Sequence, residues 1–302
     1  MTTFFAIFLN NILPAFLVMA AGIILDRVLQ VDKRTLSRTV IYVLTPCLVF
    51  SSIVQSSVDP SQFGSMILFV LVLTLALIAL ALAAARVLGW SRPMADALVL
   101  STAFVNAGNF GLPVILFSFG EVGLELATVF YVASSFTCNS LAAFFAARGN
   151  GSGHRALLSV LRLPGLYAFA LALVLRLLKV QVPEPLLRPV ELIGRATVPI
   201  LLMMLGLQLS QTRVSRRYGQ IGVGVILRLV VGALVGLGLA PLLGLEGLAR
   251  SVAVTEAATP TAVNSALMAI EFGSDAEYVT SVIFCSTLLS SVTLTILLSF
   301  LA

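Results

Sequence analysis

The chain has 302 residues, of which 59% are hydrophobic and 10% charged, and its mean hydropathy is +1.09; ordinary soluble domains reach roughly 45–50% apolar residues. This composition excludes a water-soluble enzyme or binding module and leaves room for roughly ten membrane-crossing helices of about 20 residues each, with no sizeable soluble domain. The net charge of +5 and pI near 9.5 do not point to nucleic acid, because the basic residues are spread over short inter-helix loops, where they set orientation.

In chain order the hydrophobic pattern predicts helices over 4–25, 36–55, 64–88, 94–119, 121–147, 160–179, 186–210, 218–243, 247–271 and 276–301. The first is expected to stay in the protein rather than act as a signal peptide. Nothing basic precedes it, its apolar run is too long for the core of a signal sequence, and no small-residue cleavage site follows. Cys47, Cys138 and Cys285 all lie inside apolar stretches, without the spacing of a disulfide framework or a metal knuckle, and read as packing residues.

Loop charges give an orientation. With the amino terminus outside, the inner loops carry Arg27, Lys33, Arg34, Arg38, Arg86, Arg92, Arg148, Arg155, Arg162, Arg213, Arg216 and Arg217, with Arg228 assigned alongside them. Only Arg176, Lys179, Arg188, Arg195 and Arg250 fall outside, four of them around the loop after the sixth span. The bias predicts both termini outside, in a multi-pass protein of the inner (cell) membrane.

Two of the predicted spans are interrupted. The fourth carries NAGNFGLP from Asn106 to Pro113, and the ninth carries ATPTAVN from Ala258 to Asn264. A shift of 153 residues lays Phe119–Gly120 on Phe272–Gly273, Pro46 on Pro199, and Thr128–Tyr131 on Ser281–Phe284; Leu13–Pro14 falls on Leu163–Pro164 at a shift of 150. The chain therefore divides into repeats over 1–150 and 151–302. Five helices per half is an odd number, so the second half enters the membrane from the opposite side. The predicted fold is an all-α membrane protein with ten spans in a five-plus-five inverted repeat. Breaks at matching places in two halves point to the midplane site of a secondary transporter, where freed backbone must find other partners. Chance likeness between Leu-, Ala- and Val-rich stretches, and proline-kinked helices whose polar residues only satisfy the freed backbone, are the competing readings.

The residue types at the breaks indicate chemistry. Gly108 and Gly111 loosen the fourth span, and Pro113 suits the first position of a new half-helix through Phe119. In the ninth, Thr259 suits an N-cap and Pro260 the first position of a half-helix through Ala269. Thr259 lies about 12 residues into its span, roughly 18 Å deep, near mid-bilayer. Two helix amino ends facing one cavity would favour an anion, a carboxylate above all. Asn106 and Asn109 beside the first break, and Thr261 and Asn264 beside the second, add side-chain donors and acceptors. Glu256 is the one acid deep enough to couple transport to an ion: it would take up a proton or hold a cation, unless it pairs with Arg228 or Arg195 or its helix starts later. Arg195 and Glu191 share one helix face and are expected to pair at the outer interface, the alternative being that Arg195 meets substrate. Asp96, Glu121, Glu125, Glu271, Asp275 and Glu277 read as interfacial acids.

The NAGNFGLP and ATPTAVN breaks, the LTP of Leu44 to Pro46 in the second span and the five-plus-five plan together resemble the bacterial branch of the auxin efflux carrier family, over essentially the whole chain. The loop from Arg148 to Arg162 lacks the long hydrophilic insertion of larger plant members. The resemblance implies the fold of bile-acid/sodium symporters, with a scaffold from spans one, two, six and seven. Spans three to five and eight to ten would then form a transport domain that moves as an elevator and binds substrate at crossed broken helices. It implies small organic acids as solutes and admits sodium, protons or no coupling ion, and a homodimer. The paired crossover asparagines of the family are only partly matched: Gly111 stands against Asn264 and Asn106 against Thr259.

A carrier of a small organic anion is thus the first functional reading, ahead of a gated anion channel or a sodium-coupled symporter of another solute on the same fold. An enzyme is disfavoured. His154 is the one histidine, it falls in a loop, and neither HExxH nor GxSxG occurs. No cofactor is expected; the partners are the solute, lipid and, in coupling, sodium or a proton.

Overall fold

The computed structural model describes residues 2–150, 163–212, 214–271 and 273–301, with side chains from Phe4 and excluding 142–150. Arg155, Arg162, Arg213, His154 and Phe272, which entered the loop and repeat arguments, lie outside the described residues. The described chain is helical almost throughout, and its one β feature is an isolated bridge.

In chain order the helices are α1 (Phe4–Leu29), α2 (Lys33–Val54), α3 (Pro60–Val87), α4 (Arg92–Ala103), α5 (107–119) and α6 (121–150). There follow α7 (Pro164–Leu177), α8 (Glu184–Leu209), α9 (Tyr218–Leu242), α10 (Gly247–Ala257), α11 (Asn264–Glu271) and α12 (Ala276–Leu301). Seven helices among the described residues are long and apolar enough to cross a membrane, and α7 is a shorter apolar helix. One of the seven runs from Ala107 to Leu141 across Gly120, whose φ of 68° and ψ of −162° turn the chain sharply between α5 and α6.

Local chemistry sets the ends. Asp32 accepts hydrogen bonds from the amides of Arg34 and Thr35 at the start of α2, Asp59 from Ser61 ahead of Pro60, and Asp275 from Tyr278 at the start of α12. Prolines then shape the interiors. Widened π turns at Phe8–Ile12, Val40–Leu44 and Ala107–Gly111 each end two residues before a proline: Pro14, Pro46 and Pro113. A proline ring has no amide for the carbonyl four residues back and crowds it, and a wider turn relieves both. In α8, Pro199 leaves the Arg195 carbonyl without its usual donor, and the helix bends at Ala196.

Helices α1 and α8 cross closely. A Cβ on Gly22 would overlap the Met203 carbonyl, and one on Gly206 the Met19 carbonyl. Helix α2 packs on α7 and on the first half of α8, while α3, α4, α6, α9, α10, α11 and α12 pack mostly among themselves. Polar ties close the ends. Lys33 Nζ donates to Asp26 at 3.3 Å and to the Leu207 carbonyl at 2.6 Å, and Asp26 also accepts from Ser210 and Gln211. At the opposite end Ser56 Oγ donates to Glu125 at 2.7 Å, and Arg176 donates to the Val58 carbonyl with its guanidinium 5.0 Å above the Phe63 ring.

The pairing of Arg195 with Glu191 is corrected here. Glu191 accepts from Gln55, the residue just past the end of α2; the four-apart ion pair on this helix is Arg188 with Glu184, at 2.6 Å, and none joins Arg195 to Glu191 among the described residues.

Candidate functional site

Both interrupted helices come apart and meet each other. Helix α4 ends at Ala103, Phe104 is extended, and Val105 forms an antiparallel bridge with Thr261. The Asn106 amide donates to the Pro260 carbonyl at 2.9 Å and the Ala262 amide to the Phe104 carbonyl at 2.9 Å. Thr261 Oγ1 donates to the Ser101 carbonyl at 2.6 Å, and the Thr261 amide to Ser286 Oγ at 3.2 Å. Backbone freed in one helix is thus satisfied by the other, as burial away from water requires.

The expected starts of the second halves are corrected. Helix α5 begins at Ala107, not at Pro113, because the Asn106 carbonyl already accepts from the amides of Phe110 and Gly111, closing the first turn six residues earlier. Thr259 does not cap α11. Its hydroxyl and its amide both donate to the Glu256 carbonyl, at 2.7 and 3.1 Å, so it finishes α10; Pro260 lies in the extended connection, and α11 begins at Asn264.

A cavity of about 140 Å³ opens beside the crossing. Asn106, Gly108, Asn109 and Asn264 line it, together with Ser37 and Ile41 of α2, Tyr131, Ser135 and Asn139 of α6, and Met204 and Gln208 of α8. The first residues of α5 and of α11 therefore border one space; at α11 the Ser265 and Ala266 amides donate to the Ala262 and Val263 carbonyls, each at 3.1 Å. Among the described residues, no ionisable acid or base other than Tyr131 and Cys138 lines it. Gly111, Pro113, Thr259, Pro260, Thr261 and Glu256 lie behind this wall and are buried. A Cβ on Gly108 would come within 2.7 Å of the Tyr131 ring, so that glycine lets the α5 backbone pack on α6.

Glu256 is fully buried, and neither carboxylate oxygen has a hydrogen-bond partner among the described residues. It lies against Gly111, where an added Cβ would fall on the carboxylate, 2.6 Å from its carbon. It does not pair with Arg228 or Arg195. Arg228, assigned above to an inner loop, is instead fully buried on α9, with Nη1 donating to the Thr102 carbonyl at 2.5 Å and Nη2 to the Ala257 carbonyl. Local sequence could have flagged this residue, since an arginine inside an apolar span is rare. The cavity residues of α2, α6 and α8 carry no such mark.

Outside the spans, Arg217 clamps Asp275 with two hydrogen bonds, 2.6 Å from Nη1 and 2.9 Å from Nη2. The guanidinium holds the Asp275 carboxyl below the usual carboxylate range, and Asp275 raises Arg217 in turn.

A family model described as membrane transport protein matches residues 7–298. The chain belongs to that family. It is 30% identical over 268 residues to an uncharacterized transporter of Methanothermobacter thermautotrophicus, covering 87% of each chain. It is also similar to an uncharacterized transporter of Methanocaldococcus jannaschii, 25% identical over 267 residues, covering 85% of this chain and 86% of the relative. The resemblance to auxin efflux carriers pointed to this family, although both relatives are archaeal rather than bacterial. This family member is an integral multi-pass membrane protein and a transport protein, not an enzyme.

Proposed function

We propose that this membrane transport protein carries a small organic anion with a carboxylate group, binding it where α5 and α11 begin and moving it by alternating access. The observation that carries the reading is the convergence of two helix amino ends, with Asn106, Asn109 and Asn264, on one cavity. Each amino end contributes roughly half a positive charge, so together they offset about one carboxylate without a lysine or arginine in the wall.

Alternating access is supported by the internal likeness of the two halves. We read ten spans in a five-plus-five inverted repeat, α4–α5 and α10–α11 being the broken fourth and ninth. Gly120 and Gly273, matched by the repeat, both have positive φ, at 68° and 64°, just after those spans. Helices α1, α2, α7 and α8 would form the scaffold and the remainder an elevator domain, a division supported by their mutual packing. Given the loop charges, both termini lie outside the inner membrane. The cavity then faces inward, since it is lined by Ser37 near the start of α2 and Gln208 near the end of α8. Glu256, buried behind the cavity without a hydrogen-bond partner among the described residues, is the coupling carboxylate for a proton or sodium.

Uptake into proteoliposomes across a panel of mono- and dicarboxylates tests this reading. Saturable, mutually competing uptake that weakens in Asn109→Ala and Asn264→Ala is expected. Sustained single-channel currents would contradict a carrier. Imposed pH and sodium gradients on Glu256→Gln test the coupling: full gradient dependence in that variant removes Glu256 from the role.

A further inference from the structure

We propose that Arg228 fills a cation site formed by the carboxyl ends of α4 and α10, so that the chain supplies its own counter-charge where both first halves stop. The inference is independent of which solute is carried. Breaking two helices in apolar surroundings creates two amino ends, which border the cavity, and two carboxyl ends, of which α4 reaches the cavity wall through Ala103 and Phe104 while Ala257 of α10 lies away from it. Each carboxyl end carries roughly half a negative charge in its unbonded carbonyls, so the pair calls for about one cation.

Several of these carbonyls have donors from outside their own helix. At the end of α4, Thr261 takes Ser101, Ala262 takes Phe104, and Arg228 Nη1 takes Thr102. At the end of α10, Ala258 takes Val254 and Thr255, Thr259 takes Glu256, and Arg228 Nη2 takes Ala257. One planar guanidinium thus bonds to both ends, a two-point geometry that an ammonium matches less well.

The surroundings are built for it. Arg228 sits in the π turn Leu227–Val231 of α9, and Gly232, one turn on, leaves its own Cβ space open: a Cβ there would come 2.6 Å from Nη2. Among the described residues no carboxylate lies within ion-pair distance of Arg228, so its partners are backbone dipoles rather than a salt bridge. Arg228 therefore positions the crossing by tying its two carboxyl ends together, without touching the cavity.

Chemical rescue tests this on the full chain in detergent. Arg228→Ala leaves the space of an ethylguanidinium ion. Adding that ion well below denaturing concentrations is expected to raise the variant's melting temperature saturably toward wild type, with choline at equal concentration giving no rise and wild type unmoved. A packing role alone would not respond to a soluble cation. Absence of rescue, or an equal response in wild type, overturns the proposal. Should Arg228→Ala yield no folded protein, Arg228→Lys and Arg228→Met decide. The lysine variant is expected to melt above the methionine variant, and the reverse order or equality overturns the proposal.

Discussion

Where α1 crosses α8, both helices stay wound and their backbones approach through Gly22 and Gly206; where α4–α5 crosses α10–α11, both unwind and bond to each other. The first contact leaves the helical backbone wound where the two chains touch and needs only the absence of side chains. The second leaves amides and carbonyls to be shared, and it gathers Thr261, Ser286 and Arg228 to bond them. In lipid, small residues give close packing, whereas opened backbone gives oriented dipoles at membrane depth. The difference assigns rigidity to one crossing and solute chemistry to the other.

Substitutions can break that contrast. The largest loss of stability is expected at the glycine crossing: Gly206→Leu drives a side chain into the Met19 carbonyl and should cost about 3 kcal/mol or more in a thermal melt. Gly238→Leu, whose Cβ would meet nothing within 4 Å, should change little and serves as control.

At the opened crossing, Gly111→Ala pushes on the Glu256 carboxylate and should cost about 1–3 kcal/mol. Glu256→Ala in the same chain removes the obstacle, so the double variant should melt above the sum of the single effects. If the two effects simply add, the carboxylate is not what Gly111 makes room for.

Asn109→Ala and Asn264→Ala should separate function from stability. Uptake at low solute concentration should fall roughly tenfold or more, the loss of a charge-assisted hydrogen bond, with melting shifted by less than about 1 kcal/mol. The smallest effect lies outside the membrane. Asp275→Asn should cost less than about 1 kcal/mol at neutral pH, as for other partly exposed pairs. Because the Asp275 carboxyl is held low by Arg217, the pair contributes fully above about pH 4, the ordinary aspartate range, and is lost as pH falls toward the lower folded value. The difference between wild type and Asp275→Asn should therefore shrink on acidification; a difference that grows would contradict the clamp.

The breaks were legible in the sequence because Pro, Gly, Asn and Thr clustered inside apolar runs have a local meaning. Their placement at Asn106 to Pro113 and Ala258 to Asn264 agrees with the observed crossing. The half-helix starts were less so. Proline favours the first helical position, yet the Asn106 carbonyl closes a turn ahead of Pro113, and Thr259 bonds backwards to Glu256 rather than forwards. Contacts between distant segments left no local trace: Gly111 against Glu256, Arg228 across two carboxyl ends, and Asn139 and Gln208 on the cavity wall. Arg228 is legible in principle, since the expected span over 218–243 matches α9 and already places this arginine at membrane depth rather than among the loop charges.

Thermal stabilisation of the purified chain by matched pairs of solutes, each a small carboxylate and its uncharged amide, tests the central claim most directly. A ligand that binds only the folded protein raises its melting temperature by mass action. At least one carboxylate should stabilise wild type while its amide does not, and Asn109→Ala and Asn264→Ala should both lose the response. Equal stabilisation by acid and amide, or a response unchanged in both variants, would contradict an anion site between the two opened helices.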